Sequence, residues 1–407
     1  MVGLLRLIQS AGVGNAIIAQ LYNIFWVHMS YIFYAVLSVA FVGAMFLWSL
    51  FEKYVSKRVR VLFSLLLIFV AMFILSVRGF GLDFNNYKLF YDDVERVINF
   101  ESWFSERIEP GYYFAMFLFK VAGLDFEVFY FAFNLIAVAI LFYSYGVSRF
   151  NGRLIFIVFA LYYFGYMDVT RAFFASAVLA AVLSSIVARR YLLAILGSML
   201  GWLIHYSFFF GLLFVPLSKL VFTTGRYAAA LFLICMLALC VKAGLSFEAY
   251  IPESWPGFVR TGMRYLNSAG SDPKSGYLNA THVILWIFVL GFVFIVSLLI
   301  NFLISVHGAA NFSPVVQKFH SLSCWGTLVF LFFLIIDAAV LGNRLFLLLS
   351  IGLPLLIYSF CFETSIRGEA SLYRYTMISL LLIFGVFFIF LYLAGAHNPE
   401  RMFYLGF

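Results

Sequence analysis

From Val61 to Val77 the chain reads VLFSLLLIFVAMFILSV, a run without a charged residue. Comparable apolar runs recur at roughly 30–50, 111–124, 126–147, 154–167, 171–188, 191–218, 227–241, 283–303, 324–341, 345–362 and 373–393. A helix needs about 20 apolar residues to cross the hydrocarbon of a bilayer. Inside lipid each backbone N–H and C=O has to be satisfied within the segment itself, which makes such runs helical. The expected fold is therefore all-α. The chain reads as a polytopic integral membrane protein, with residues 1–407 forming a single transmembrane domain. Composition agrees, at 65% hydrophobic and 11% charged residues, where a soluble domain carries about 25% charged residues.

Two runs do not fit one upright helix. The run 191–218 is too long at a rise of about 1.5 Å per residue, and it holds His205 near its middle. It is expected to form two short helices meeting near His205. The run 111–124 is short and follows Pro110–Gly111, so it is expected to be re-entrant or interfacial. The total is then about 12 transmembrane helices plus that segment.

Charge supplies the topology. The loop EKYVSKRVR (52–60) is placed in the cytoplasm because it holds Lys53, Lys57, Arg58 and Arg60. The following inner loops then hold Arg149, Arg153, Arg189, Arg190, Lys219, Arg226, Lys318, Arg367 and Arg374. These 13 basic residues face three acids, Glu52, Glu363 and Glu369, while the rest of the chain has 13 basic and 15 acidic residues. A contrast of +10 against −2 is a strong positive-inside signal. It puts both termini and the two long polar stretches, 78–125 with its re-entrant segment and 242–282, on the outer side. The net charge of +8 is thus a topological signal, and no nucleic-acid partner is expected. Cys235, Cys240, Cys324 and Cys361 lie in or beside apolar runs without metal-ligand spacing, and read as packing residues.

Ionisable residues at membrane depth usually face an interior cavity. The charge-derived topology gathers several at one face. Arg78 and Asp83, with Tyr87, lie in RGFGLDFNNYKLFY; Glu109 lies in RIEPGYY, Asp168 and Arg171 in YMDVTRAFF, His205 in WLIHYSFFF, and Asp337 and Arg344 in IIDAAVLGNRLF. Each also has a purely structural explanation. Arg78 can snorkel at a helix end, Asp337 can pair with Arg344, His205 can be a packing residue, and Glu109 can cap the helix that follows.

The order and spacing of these pieces resemble the EpsG-type branch of the Wzy-like bacterial polysaccharide polymerases. The resemblance rests on R-G-x-G-x-D-x-x-x-Y (Arg78, Gly79, Gly81, Asp83, Tyr87) and E-P-G-Y (Glu109 to Tyr112). It continues with Arg171 opening an alanine-rich helix, I-H-x-S (Ile204, His205, Ser207) and the late arginine Arg344. Phe84 and Ala172–Phe173 depart from the family pattern, where a tyrosine and a glutamine are common.

The resemblance implies a GT-C-like glycosyltransferase that joins oligosaccharide repeat units carried on undecaprenyl diphosphate, at the outer face of the cytoplasmic membrane. Substrate, lipid bilayer and a polysaccharide chain-length regulator are the implied partners. A planar guanidinium suits a diphosphate leaving group, so Arg78, Arg171 and Arg344 are the expected diphosphate ligands. His205 is the favoured base, with Glu109 and Asp83 as alternatives or as orienting groups. Tyr87, Tyr91, Trp103 and Trp255 are candidate loop aromatics for stacking on sugars, and Tyr112, Arg260 and Arg264 for extending the binding site. No D-x-D motif is present, and neither a divalent metal nor another cofactor is expected. An integral-membrane O-acyltransferase and a lipid-linked oligosaccharide flippase are the rival classes. The former would want its charged residues toward a cytoplasmic acyl donor, the latter along a central path with inverted repeats.

Overall fold

The computed structural model describes residues 33–34, 36–77, 84–94, 109–146, 151–163, 167, 169–244, 298, 301–302, 312–336 and 339–359, with the side chains of 240–244, 339–341 and 343–344 left aside. These residues are helical or connecting, without a strand. Five helices are long and apolar enough to cross a membrane: α1 (Val36–Tyr54), α2 (Lys57–Val77), α5 (Phe126–Ser144), α7 (Thr170–Val187) and α11 (Pro314–Ile335). Between and after them lie α3 (Phe84–Asp93), α4 (Pro110–Val121), α6 (Gly152–Tyr162), α8 (Tyr191–Ile204), α9 (Phe208–Leu217), α10 (Thr224–Gly244), α12 (Ala339–Leu349) and α13 (Leu353–Tyr358). The expected span at 373–393 and most of that at 283–303 lie outside the described residues.

The centre of the bundle is α7. Its sequence, TRAFFASAVLAAVLSSIV, is rich in alanine, which favours helix and lets neighbouring backbones approach. It packs against α5 and α8 most extensively, and against α9, α11 and α12. Contact with α8 is close at Gly197, where a Cβ would lie 2.9 Å from Val182 Cγ2.

The bundle has two chemically distinct ends. At one, Glu52 Oε2 accepts a hydrogen bond from Gly152 N at 2.7 Å, which ties the end of α1 to the start of α6. At the same end Ser184 Oγ donates to Ser144 O, and Arg190 Nη1 donates to the Tyr143 hydroxyl at 3.0 Å. Lys53, Lys57, Arg58, Arg60, Arg153, Arg189 and Arg190 therefore gather at one end.

At the opposite end α5 overhangs α7. The Asn134 amide reaches Thr170 Oγ1 at 3.4 Å, although Asn134 is eight residues into α5 and Thr170 opens α7. Eight residues correspond to about 12 Å of helix, so the start of α7 is recessed by about two turns.

Three parts of the sequence reading are corrected. The stretch after Arg78 is not all loop, because it contains α3. Phe84, Tyr87 and Tyr91 recur there at helical spacing and are buried. Lys120 Nζ caps the end of α3 by donating to Tyr91 O and Asp92 O at 2.9 and 2.5 Å, and the Tyr91 hydroxyl donates to Leu124 O at 2.6 Å. Tyr91 is thus a packing residue and not a loop aromatic. The run read as 324–341 begins earlier, at Pro314, where the Ser313 hydroxyl caps Val316 N at 3.3 Å. His320, Ser321 and Ser323 interrupt its hydropathy yet are buried against protein. Within the run 345–362, the described residues 345–359 are the later part of α12, a 3-10 turn at Ser350–Gly352 and α13, so Arg344 lies within α12 and not at the start of a span.

Candidate functional site

Glu109 precedes α4 in an extended conformation, and Pro110 supplies the first helical residue with its fixed φ. The Glu109 carboxylate does not cap its own helix, which removes the simplest structural explanation for it. Only its backbone takes part in the helix start, accepting from Tyr113 N at 3.0 Å. The side chain turns into the bundle. Gly111 makes that possible, because a Cβ there would lie 2.8 Å from Leu203 Cβ and 2.9 Å from Leu203 O. The first turn of α4 is thereby pressed against the last turn of α8, two residues before His205.

At His205 the 191–218 run breaks, as its length required. The residue is extended, with φ −156° and ψ 120°. Its N–H still donates back to Gly201 O at 3.0 Å, and its carbonyl accepts from Phe208 N at 2.9 Å to begin α9. The ring of Phe208 lies over Gly201 where a side chain would otherwise stand. With 14 and 10 residues, α8 and α9 are about 21 and 15 Å long, so the ring of His205 is held short of a full bilayer crossing.

Arg171 is the second residue of α7. A cation there opposes the helix dipole, and its environment compensates. Arg171 Nη1 donates to Glu109 Oε2. Its guanidinium carbon lies 5.2 Å from the centroid of the Tyr87 ring and 5.6 Å from that of Tyr112, within cation–π range. Those rings are 5.6 Å apart and buried. Glu109 Oε1 meets His205 Nδ1 at 2.8 Å, and Tyr206 N approaches the same oxygen at 3.5 Å. One carboxylate is thus shared between a guanidinium and an imidazole. A buried carboxylate is strongly unfavourable alone and tolerable when both oxygens are partnered. A carboxylate only accepts, so the shared proton sits on His205 Nδ1 and the basic lone pair of the neutral ring is on Nε2.

Five of the residues nominated from sequence come together: Glu109, Arg171, His205, Tyr87 and Tyr112. Tyr87 and Tyr112 lie as ring platforms against Arg171 on buried helix faces. Arg78, Asp83, Asp168, Asp337, Arg260, Arg264, Trp103 and Trp255 lie outside the described residues, as does the side chain of Arg344. Two buried polar atoms of the cluster, Arg171 Nε and the Tyr112 hydroxyl, have no hydrogen-bond partner among the described residues. Among the described residues no group of three or more His, Cys, Asp or Glu side chains is placed to hold a metal ion. Sequence reasoning passed over Asn134 and Thr170, both fully buried beside the cluster. The available signal was a lone asparagine inside the apolar run of α5.

A family model described as the EpsG family matches residues 59–404, which contain every residue of this cluster. The chain belongs to the EpsG family. The EpsG family is a family of Wzy-like polysaccharide polymerases, and the apolar helices make this member an integral membrane protein. Within the EpsG match, the Glu109 cluster is the place where α3, α4, α7 and the α8–α9 break converge. No curated protein and no solved structure matches the chain.

Proposed function

We propose that the protein is a glycosyltransferase that polymerises oligosaccharide repeat units carried on undecaprenyl diphosphate, at the outer face of a bacterial cytoplasmic membrane. The observation that carries this reading is the Glu109 carboxylate held between Arg171 and His205, at the end of the bundle opposite the basic loops. In the reading proposed, the basic end faces the cytoplasm by the positive-inside rule. The chain is a single GT-C-like domain of about 12 spans, with α4 as its re-entrant segment and 78–125 and 242–282 outside. At 12 residues, α4 is about 18 Å long, well below the roughly 30 Å of the hydrocarbon core.

In the reaction, a hydroxyl of the incoming lipid-linked unit attacks the anomeric carbon of the growing chain. A new C–O bond forms there as the bond to the diphosphate oxygen breaks, and its electron pair leaves with the lipid diphosphate. The hydroxyl proton passes to His205 Nε2, whose tautomer is fixed by Glu109. Arg171, Arg78 and Arg344 stabilise charge on the leaving diphosphate, so no metal is needed. Arg171 Nε, buried and without a hydrogen-bond partner among the described residues, supports a role toward an anion. Asp83 orients the acceptor or the arginines, Arg264 extends the anion site, and a chain-length regulator binds outside it.

The test is the glycan profile of a deletion strain complemented with wild type, Arg171→Ala or His205→Ala. A ladder from wild type and single repeat units from both variants is the expected result. A ladder from all three would reject the assigned roles, and a ladder in the uncomplemented deletion would reject polymerisation in favour of a modifying enzyme such as an O-acyltransferase.

A further inference from the structure

A buried asparagine in an apolar helix is unfavourable unless its amide is used. Asn134 is fully buried on α5. Its Nδ2 donates to Tyr130 O at 3.1 Å, one turn back on its own helix, and to Thr170 Oγ1 at 3.4 Å on α7. Thr170 is likewise fully buried and is the residue before Arg171. The helix start that carries Arg171 has no cap from Val169. The Asn134–Thr170 contact, at 3.4 Å and with Asn134 Oδ1 without a partner among the described residues, is a polar tie between α5 and the first turn of α7.

The neighbour of Asn134 acts in the same place. Phe133 stacks on Phe174 with centroids 4.3 Å apart, and meets the Tyr112 ring edge-on at 5.1 Å. Tyr112 in turn lies under the Arg171 guanidinium. Two consecutive residues of α5 thus brace Arg171 from two directions. Phe133 fixes the ring beneath the guanidinium, and Asn134 fixes the backbone from which the side chain springs. The apolar brace would hold with leucine at 134. The polar tie would not, and it is the contact that an apolar run has no packing reason to contain.

We propose that Asn134 is a positioning residue. Through Thr170 it holds Arg171 in register with Glu109, and so holds the Glu109–His205 pair in its reactive geometry. Its catalytic consequence rests on the polymerase reading above, while the contact itself can be tested without it.

The experiment uses the full chain in detergent and in proteoliposomes, with Asn134→Leu, Thr170→Val, the double variant and Thr170→Ser. The first readout is independent of activity. Phenylglyoxal modification of Arg171 is followed by mass spectrometry of its peptide, with the unfolding temperature measured alongside. Faster labelling of Arg171 in Asn134→Leu and Thr170→Val, measured well below the unfolding transition of each variant, is expected. Thr170→Ser, which keeps the oxygen, is expected to label like wild type. The second readout is turnover of a lipid-diphosphate-linked repeat unit. Each single variant is expected to lower kcat on the order of tenfold or more, since small misplacements of catalytic groups cost that much, with KM nearly unchanged. The double variant is expected to be no worse than either single one. Unchanged Arg171 labelling in both single variants, or labelling that rises equally at arginines remote from the site, overturns the proposal. A double variant that multiplies the single losses overturns it as well. If Asn134→Leu does not accumulate, Thr170→Val decides from the other side of the same contact. Altered labelling with a wild type that makes no polymer would reject the polymerase reading and leave the tie between Asn134 and Arg171 standing.

Discussion

Glu109 and His205 are 96 residues apart in the chain, and their side chains meet at 2.8 Å through Oε1 and Nδ1. The second oxygen of the same carboxylate is bound to Arg171. Glu109 is therefore the hub of the cluster, and the three side chains form one electrostatic unit.

Replacing Glu109 with glutamine leaves the Arg171 cation buried without its counter-charge. Removing one partner of a buried pair destabilises by about 3–5 kcal/mol. A clear drop in the detergent unfolding temperature of Glu109→Gln, together with loss of polymer, is the expected outcome of thermal melts and glycan gels run on the same preparations.

Arg171→Lys keeps the charge and discards the planar fork. An ammonium does not reproduce the stacking on Tyr87 and Tyr112 while donating to Glu109. Polymer synthesis by this variant in membrane vesicles is expected to fall at least about tenfold, since a bidentate or stacked arginine is not replaced by lysine. Wild-type rates would show that charge alone is what matters at this position.

Gly111→Ala tests the approach of α4 to α8 without touching a charged residue. The added methyl meets Leu203 Cβ at 2.8 Å and Leu203 O at 2.9 Å. Overpacking of this kind costs about 1–3 kcal/mol, and here it moves Glu109 away from His205. Shortened glycan chains from a normally inserted protein are expected, and an unaltered ladder would mean that this approach does not set the site.

Lys88 lies at the end of the bundle where α3 packs on α5, paired with Glu127 at 2.8 Å on the surface, and Arg190 lies at the other end. In a chain cleared of native cysteines, Lys88→Cys is expected to react with a membrane-impermeant maleimide on intact cells. Arg190→Cys is expected to react only after permeabilisation. The reverse pattern would invert the topology proposed here.

Much of the fold is legible in the sequence because lipid imposes a simple rule on composition. The break at His205 follows from the length of its run, and the basic end follows from where Arg153, Arg189 and Arg190 fall. What the rule misses are polar residues that face protein and not lipid. His320 and Ser323 shorten the apparent run of α11 for that reason. The same blindness hides α3, whose buried face consists of Phe84, Tyr87 and Tyr91 among asparagines, a lysine and aspartates. The residue types at the site were legible as chemistry. Their pairing was not, since nothing in the E-P-G-Y motif says that Glu109 reaches Arg171, or that Gly111 is small because Leu203 stands against it. Asn134 escaped because a single amide barely alters the hydropathy of α5.

Synthesis from the N-terminus fixes the order in which the cluster can assemble. Glu109 leaves the ribosome before Arg171, and Arg171 before His205. An arginine resists entry into lipid, by about 2.5–3.5 kcal/mol at a helix centre and by less near a helix end such as the one Arg171 occupies. When α7 arrives, the carboxylate on α4 is already present to receive its guanidinium. The ion pair that joins Glu109 to Arg171 therefore needs nothing that is made after it, and its third member is the last to be made. Until then the chain holds a neutralised pair and no imidazole beside it.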